Sequence, residues 1–265
     1  MDKYFYFSLR NVGLKWSDVQ FRTVQSDTSE ALDILAFLAN TMFERKIKDA
    51  DYKYYSETLA YKFIYQALNL RSILLGVQFN SKIFSFDRLI FDVSSSYIIQ
   101  RALFENYLTF FYLFIQPKTE DEKICKWLIY KMSGLKSRQD FQSDFVEYKD
   151  KIESERQEIQ EGIDQLKSNV FFLSLPSKKQ NHILKNFPAR LTGWQKLFDS
   201  SELRSEMFIK AWRLYSNYAH SEYISLIQFK DFRQDREPLL TMKNLVSFIS
   251  LVLTSVFIKD MVKLY

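Results

Sequence analysis

The chain has 265 residues, 47% of them hydrophobic, with 25 Phe and 16 Tyr but only five Gly and four Pro. That composition excludes global disorder, and so few turn-formers exclude an all-β or doubly wound fold in favour of long helices with few connections. The net charge of +5, from 37 basic and 32 acidic residues, permits an anionic partner but describes a mixed surface rather than a dedicated basic platform. Cys125 is the only cysteine, which excludes an intrachain disulfide and a thiolate metal cluster and fits a reduced, cytoplasmic setting.

Residues 4–24 mix aromatic and polar groups irregularly around Gly13 and are expected to form an extended arm or a short hairpin. The acid at position 2 and the lack of a long apolar run argue against a secretory signal. From Ser26 the spacing becomes helical. Ala31, Leu32, Leu35, Leu38, Ala39 and Met42 predict a helix at about 28–46, and Asp49 and Asp51 cap a second over 52–75 that Gly76 ends. A third, 86–115, is apolar on more than one face and is stopped by Pro117, so it should be central to a bundle. A fourth covers about 120–136.

Between 140 and 166 charged residues dominate and apolar ones are sparse at Ile152, Ile159 and Ile163. This predicts a solvated, projecting helix offering a contact to a protein partner. Residues 168–200, with Pro176, Pro188 and Gly193, read as short helices in a long connection, and a helix over about 202–221 follows. A polar turn through Asp231, Arg236 and Pro238 leads to the last helix, ending at Leu264. Its most apolar stretch, Leu245 to Ile258, is short of the roughly 20 residues that cross a bilayer, so a buried helix and no membrane are expected. The expected architecture is all-α: one helical domain over 1–265, a multi-helix bundle with an inserted charged helical segment at 140–200.

Two groups of residues are chemically out of place in such a bundle. Arg213, Ser216, Asn217 and His220 share a stripe on the 202–221 helix, since seven residues are almost two turns. An imidazole moves protons near neutrality and an arginine grips a phosphate, which together suffice for metal-independent RNA cleavage. The bland alternative is a histidine meeting the dipole at a helix C-terminus, with Arg213 in a salt bridge. The second group is Arg101 and Glu105, neighbours at i and i+4 on the apolar central helix. Such charges must be paired or face a polar cavity, and either a buried ion pair or a pocket shared with His220 satisfies that. Tyr112, seven residues beyond Glu105, extends the pocket in the second case and packs in the core in the first. His182 sits in a polar surface segment, and Trp194 and Trp212 read as core anchors. No glycine loop for phosphates, no zinc-ligand set and no nucleophile elbow is present, so neither a cofactor nor a metal is expected.

Arg213-x₆-His220 near the terminal helices, with the earlier Arg101-x₃-Glu105, resembles the HEPN superfamily (higher eukaryotes and prokaryotes nucleotide-binding domains) over about 28–135 and 200–264. Members often carry a polar residue after the motif arginine, where this chain has Leu214. The resemblance implies a metal-independent endoribonuclease of a toxin–antitoxin or phage-defence system, acting as a homodimer with a composite site. His220 would be the acid/base, Arg213 would hold the scissile phosphate, and Asn217 and Ser216 would orient substrate or ring. Arg101 and Glu105 would support the pocket. Inactive members imply the alternative of a non-catalytic interaction or nucleotide-binding module.

Overall fold

The computed structural model describes residues 18–44, 54–81, 83, 86–139, 146–234 and 236–264. The fold is all-α, with eleven α-helices and one small hairpin among the described residues. In chain order the elements are α1 (Asp18–Glu44), α2 (Tyr54–Leu75), β1 (Val77–Ser81), β2 (Phe86–Ile90) and α3 (Val93–Phe110). After a π-helical turn (Phe111–Ile115) come α4 (Glu120–Gln139), α5 (Val146–Ser168), α6 (Val170–Leu173), α7 (Ser177–Asn186) and α8 (Trp194–Ser200). The chain closes with α9 (Glu206–Ala219), α10 (Tyr223–Gln234) and α11 (Arg236–Leu264). Two compact units result, one from residues 1–110 with 201–265 and one from 111–200. The unit boundary thus falls at 110/111, thirty residues before the insertion expected at 140.

In the first unit α11 packs along α1 and also touches α3 and α2, while α3 lies against α2 and α9. The apolar spacing explains this. Val246, Ile249, Leu253, Phe257 and Met261 recur every three to four residues and are all buried. Facing them are Leu35 and Ala39 of α1, Phe63 of α2 and Phe110 of α3, likewise buried. Leu239–Leu264 is long and apolar enough to cross a membrane by length and composition, and half of that window is buried within the protein. Asp260 sits wholly buried in it, accepting a hydrogen bond from Tyr107 Oη at 2.8 Å and pairing with Lys263 Nζ at 2.7 Å. Burial, and then the Asp260 carboxylate, push the Tyr107 hydroxyl far above its ordinary range.

Several boundaries differ from the sequence expectation. The arm or hairpin expected at 4–24 lies outside the described residues up to 17, and from Asp18 the chain is already helical. Asp49 and Asp51 also lie outside them. The third helix starts at Val93 rather than 86, because Phe86–Ile90 pairs antiparallel with Val77–Ser81, Val77 opposite Ile90 and Ser81 opposite Phe86. Gly76, at φ 95°, makes the turn out of α2 that a residue with a Cβ resists. Asp92 starts α3 by accepting the Ser95 amide at 3.1 Å. The polar turn expected after Ser221 holds a helix of its own, α10.

In the second unit Cys125, Leu128, Ile129 and Met132 of α4 pack with Leu166, Phe172 and Ile183. Burial pushes the Cys125 thiol up to about 12. Here α5 corrects the picture of a solvated helix. Glu155 is buried and paired with Arg138 at 2.9 Å, and Lys131 bonds Glu158 at 2.7 Å, so ion pairs fasten α5 to α4. Gly162 lets the two helices close in, since a Cβ there would stand 2.9 Å from Met132 Sδ. Only the outer face of α5 remains exposed.

Candidate functional site

Ser205 accepts the Met207 amide at 3.3 Å and starts α9, whose buried stripe of Phe208, Ala211, Tyr215 and Tyr218 faces α3. The rings of Tyr97 and Tyr215 lie 4.6 Å apart, and Tyr97 meets Tyr218 edge-on at 4.6 Å. Burial pushes the Tyr218 hydroxyl up to about 12, and it donates to Gln228 Oε1 at 2.9 Å, tying α10 to α9. This interface also buries Gln100, whose side-chain amide has no hydrogen-bond partner among the described residues, and the unpartnered hydroxyl of Tyr215. Each such group costs about 1–3 kcal/mol, so ring packing offsets a polar penalty here.

The helix ends before His220. Ala219 is its last residue and His220 is the C-cap, with φ −105° and ψ 5°. Ser221 follows in the left-handed region at φ 52°. The Ser221 amide donates to Tyr218 O at 3.3 Å and the Glu222 amide to Asn217 O at 2.9 Å, the reciprocal pair of a Schellman stop. Glycine favours that conformation, so Ser221→Gly is expected to stabilise the protein by about 0.5–1 kcal/mol, read as a raised urea midpoint. A lowered midpoint would contradict the assignment of strain to this position.

This stop places His220 beside α3. Arg101 Nη1 lies 3.4 Å from His220 Nε2, and Arg101 Nε donates to Glu105 Oε1 at 2.9 Å. Arginine offers no acceptor, so a hydrogen bond here requires Nε2 to be the accepting nitrogen. At 3.4 Å the contact is long for a hydrogen bond, whereas the Arg101–Glu105 pair has full charge-assisted geometry. Glu105 therefore fixes the guanidinium through Nε, with Nη1 turned to His220. The pair is only partly shielded, with 22% of the Arg101 and 30% of the Glu105 side-chain surface accessible, and His220 is exposed. The site is a solvent-open carboxylate–guanidinium–imidazole row joining α3 to the end of α9.

Other expected residues fall differently. Arg213 is exposed on α9, and Leu214 beside it is half-buried. The helix stops at Ala219, so His220 stands at the C-cap of α9 and not within its last turn. The Ser216 hydroxyl donates to Trp212 O at 2.9 Å, so its proton serves its own helix. Asn217 is half-buried in the last turn, where its backbone carbonyl belongs to the stop. Tyr112 belongs to the second unit, where its hydroxyl accepts the Leu191 amide at 3.1 Å beneath Lys126 Nζ. The π-helical turn over Phe111–Ile115 adds a residue to the turn and breaks the spacing that put Tyr112 on the Glu105 stripe. His182 is exposed on α7, its Nδ1 2.9 Å from Asn186 Nδ2. Trp194 is half-buried rather than a core anchor. Sequence reasoning missed the buried polar atoms of Gln100 and Tyr215, whose signal was the stripe each occupies, Gln100 with Tyr97 and Phe104 on α3 and Tyr215 with Phe208, Ala211 and Tyr218 on α9.

Among the described residues no group of three or more His, Cys, Asp and Glu side chains could hold a metal ion. Comparison with known proteins returns no matching family model, no matching curated protein and no matching solved structure.

Proposed function

We propose that the protein is a HEPN-like endoribonuclease of the cytoplasm, working without a metal in a toxin–antitoxin or phage-defence system. The observation that carries this reading is the approach of Arg101 to His220 at 3.4 Å, across 119 residues of sequence, in a solvent-open row with Glu105. In the proposed reaction His220 Nε2 takes the proton of a ribose 2′-hydroxyl. The 2′-oxygen then bonds to phosphorus, the bond from phosphorus to the 5′-oxygen breaks, and that oxygen leaves with a proton from solvent. Products are a 2′,3′-cyclic phosphate and a free 5′-hydroxyl. Arg101 stabilises the charge that builds on the phosphoryl oxygens, and Glu105 holds it in position. Arg213, exposed on α9, contacts a neighbouring phosphate, and Asn217, three residues before His220, orients substrate or ring.

The purified protein is expected to cleave RNA in EDTA, and His220→Ala to lose at least about 100-fold in rate while keeping its melting temperature, because the side chain is exposed. Equal cleavage by wild type and His220→Ala would overturn the assignment.

The reading includes a homodimer. Beginning three residues after His220, α10 exposes Tyr223, Ile224, Leu226, Ile227 and Phe229, an apolar row of the kind that a second copy covers. Sedimentation should show a dimer that Leu226→Glu dissociates, and a monomeric wild type would remove this part of the reading. The same row favours a second reading, a non-catalytic interaction module that engages its partner through α10 or the outer face of α5. Dimerisation without any cleavage would select it.

A further inference from the structure

We infer that the second unit binds single-stranded nucleic acid through a cationic surface on α7 and the Arg190–Trp194 pair that follows it. The inference concerns the unit that lacks Arg101 and His220, and it stands whether or not those residues cleave RNA.

Charge in this unit is segregated along the chain. From 165 to 198 there are Lys167, Lys178, Lys179, Lys185, Arg190 and Lys196 and no Asp or Glu, while the acidic residues concentrate on α5. On α7, Lys178, His182 and Lys185 follow one another at i, i+4 and i+7, with Lys179 alongside, and all four are exposed. The buried Ile183 points the opposite face into the core. Two of these lysines occupy the first turn, where the helix dipole favours acids, and Pro176 at the N-cap supplies no side-chain cap. Local helix stability therefore argues against the charge that the sequence places there, which is the mark of a functional surface.

Four residues beyond α7, the Arg190 guanidinium lies 3.6 Å from the centroid of the Trp194 ring, and both side chains are half-exposed. A guanidinium stacked on indole is a flat cationic platform on which an unpaired base stacks while lysines follow the phosphates. A lipid surface fits less well, because α7 exposes no apolar side chain to insert. An acidic protein fits the lysines but gives the platform no counterpart.

The test is fluorescence anisotropy of a labelled, fully 2′-O-methylated single-stranded RNA with the full-length chain. Without a 2′-hydroxyl the strand cannot be cleaved by the proposed route, so binding is read apart from activity. Wild type should bind, with affinity falling steeply as salt rises. Lys178→Glu/Lys179→Glu/Lys185→Glu should weaken binding at least about 10-fold and flatten the log–log salt slope by about 2. Trp194→Ala should weaken it about 5-fold or more. The strand cannot be cleaved by the proposed route, so failure of the cleavage reading would leave this result intact. No binding by wild type, or an unchanged affinity and slope in the exposed triple-lysine variant, would overturn the inference. Equal competition by phosphatidylserine vesicles or by polyglutamate would overturn it in favour of a membrane or an acidic protein.

Discussion

Arg101→Ala is expected to lower the rate of RNA cleavage by about 10²–10³, equivalent to about 2.7–4 kcal/mol of transition-state stabilisation. The magnitude follows from the role proposed for the guanidinium, a fixed donor to the oxygens that gain charge. Its partner Glu105 is bonded through Nε at 2.9 Å, so the donors facing outward are set before substrate arrives. Arg101→Lys keeps the charge but not the planar fork, and should recover only a small part of the rate. Glu105→Gln weakens the hold on Arg101 and should lower the rate less than Arg101→Ala. Because the pair is partly solvated, these changes should cost at most about 1 kcal/mol of stability, measured by urea unfolding. Cleavage unchanged in Arg101→Ala, with stability lost instead, would make the pair a structural feature of α3.

The largest effect on stability is expected at Phe257. This ring is wholly buried in α11 and lies 4.9 Å from Phe63, 4.5 Å from Phe110 and 5.9 Å from Tyr107, each edge-to-face. One side chain thus joins α2, α3 and α11. Phe257→Ala removes a ring that three rigid neighbours cannot replace, and should cost about 3–5 kcal/mol, a large fraction of a typical domain's stability. Phe257→Leu should cost less, since it keeps most of the volume. A loss below about 1 kcal/mol in the alanine variant would show that this contact is not where the unit is held.

Much of this architecture was legible in the chain because its signals are periodic. Val246, Ile249, Leu253 and Phe257 announce a buried helix face by spacing alone, and Pro117 announces an end. What stayed hidden depended on local geometry that no period reports. Phe86 to Ile90 leads into α3 with no Gly or Pro to break a helix, and only pairing with Val77–Ser81 makes it a strand. Tyr112 left the expected stripe because a π-helical turn intervenes, and neighbouring residue types do not encode that turn uniquely. The charges of α5 looked solvated because a sequence does not show that Glu155 and Glu158 meet Arg138 and Lys131 of α4.

At the candidate site, the out-of-place charges Arg101 and Glu105 and the lone His220 were legible as needing partners. Their meeting is at the end of α9, where His220 is the C-cap at φ −105° and ψ 5° and Ser221, in the left-handed region, turns the following chain away. That stop is also why Arg101, and not only Arg213, enters the proposed chemistry. The alternative role for this position is structural, a histidine at a helix C-terminus meeting the negative end of the dipole. Stability and activity separate the two roles.

The most direct measurement is a double-mutant cycle on single-turnover RNA cleavage in EDTA, with wild type, Arg101→Ala, His220→Ala and the double variant. If the two side chains act on one phosphodiester as a unit, the double variant will be hardly slower than the slower single variant, a strongly non-additive result. Losses that multiply independently, or cleavage that survives removal of both side chains, would contradict a site built from Arg101 and His220.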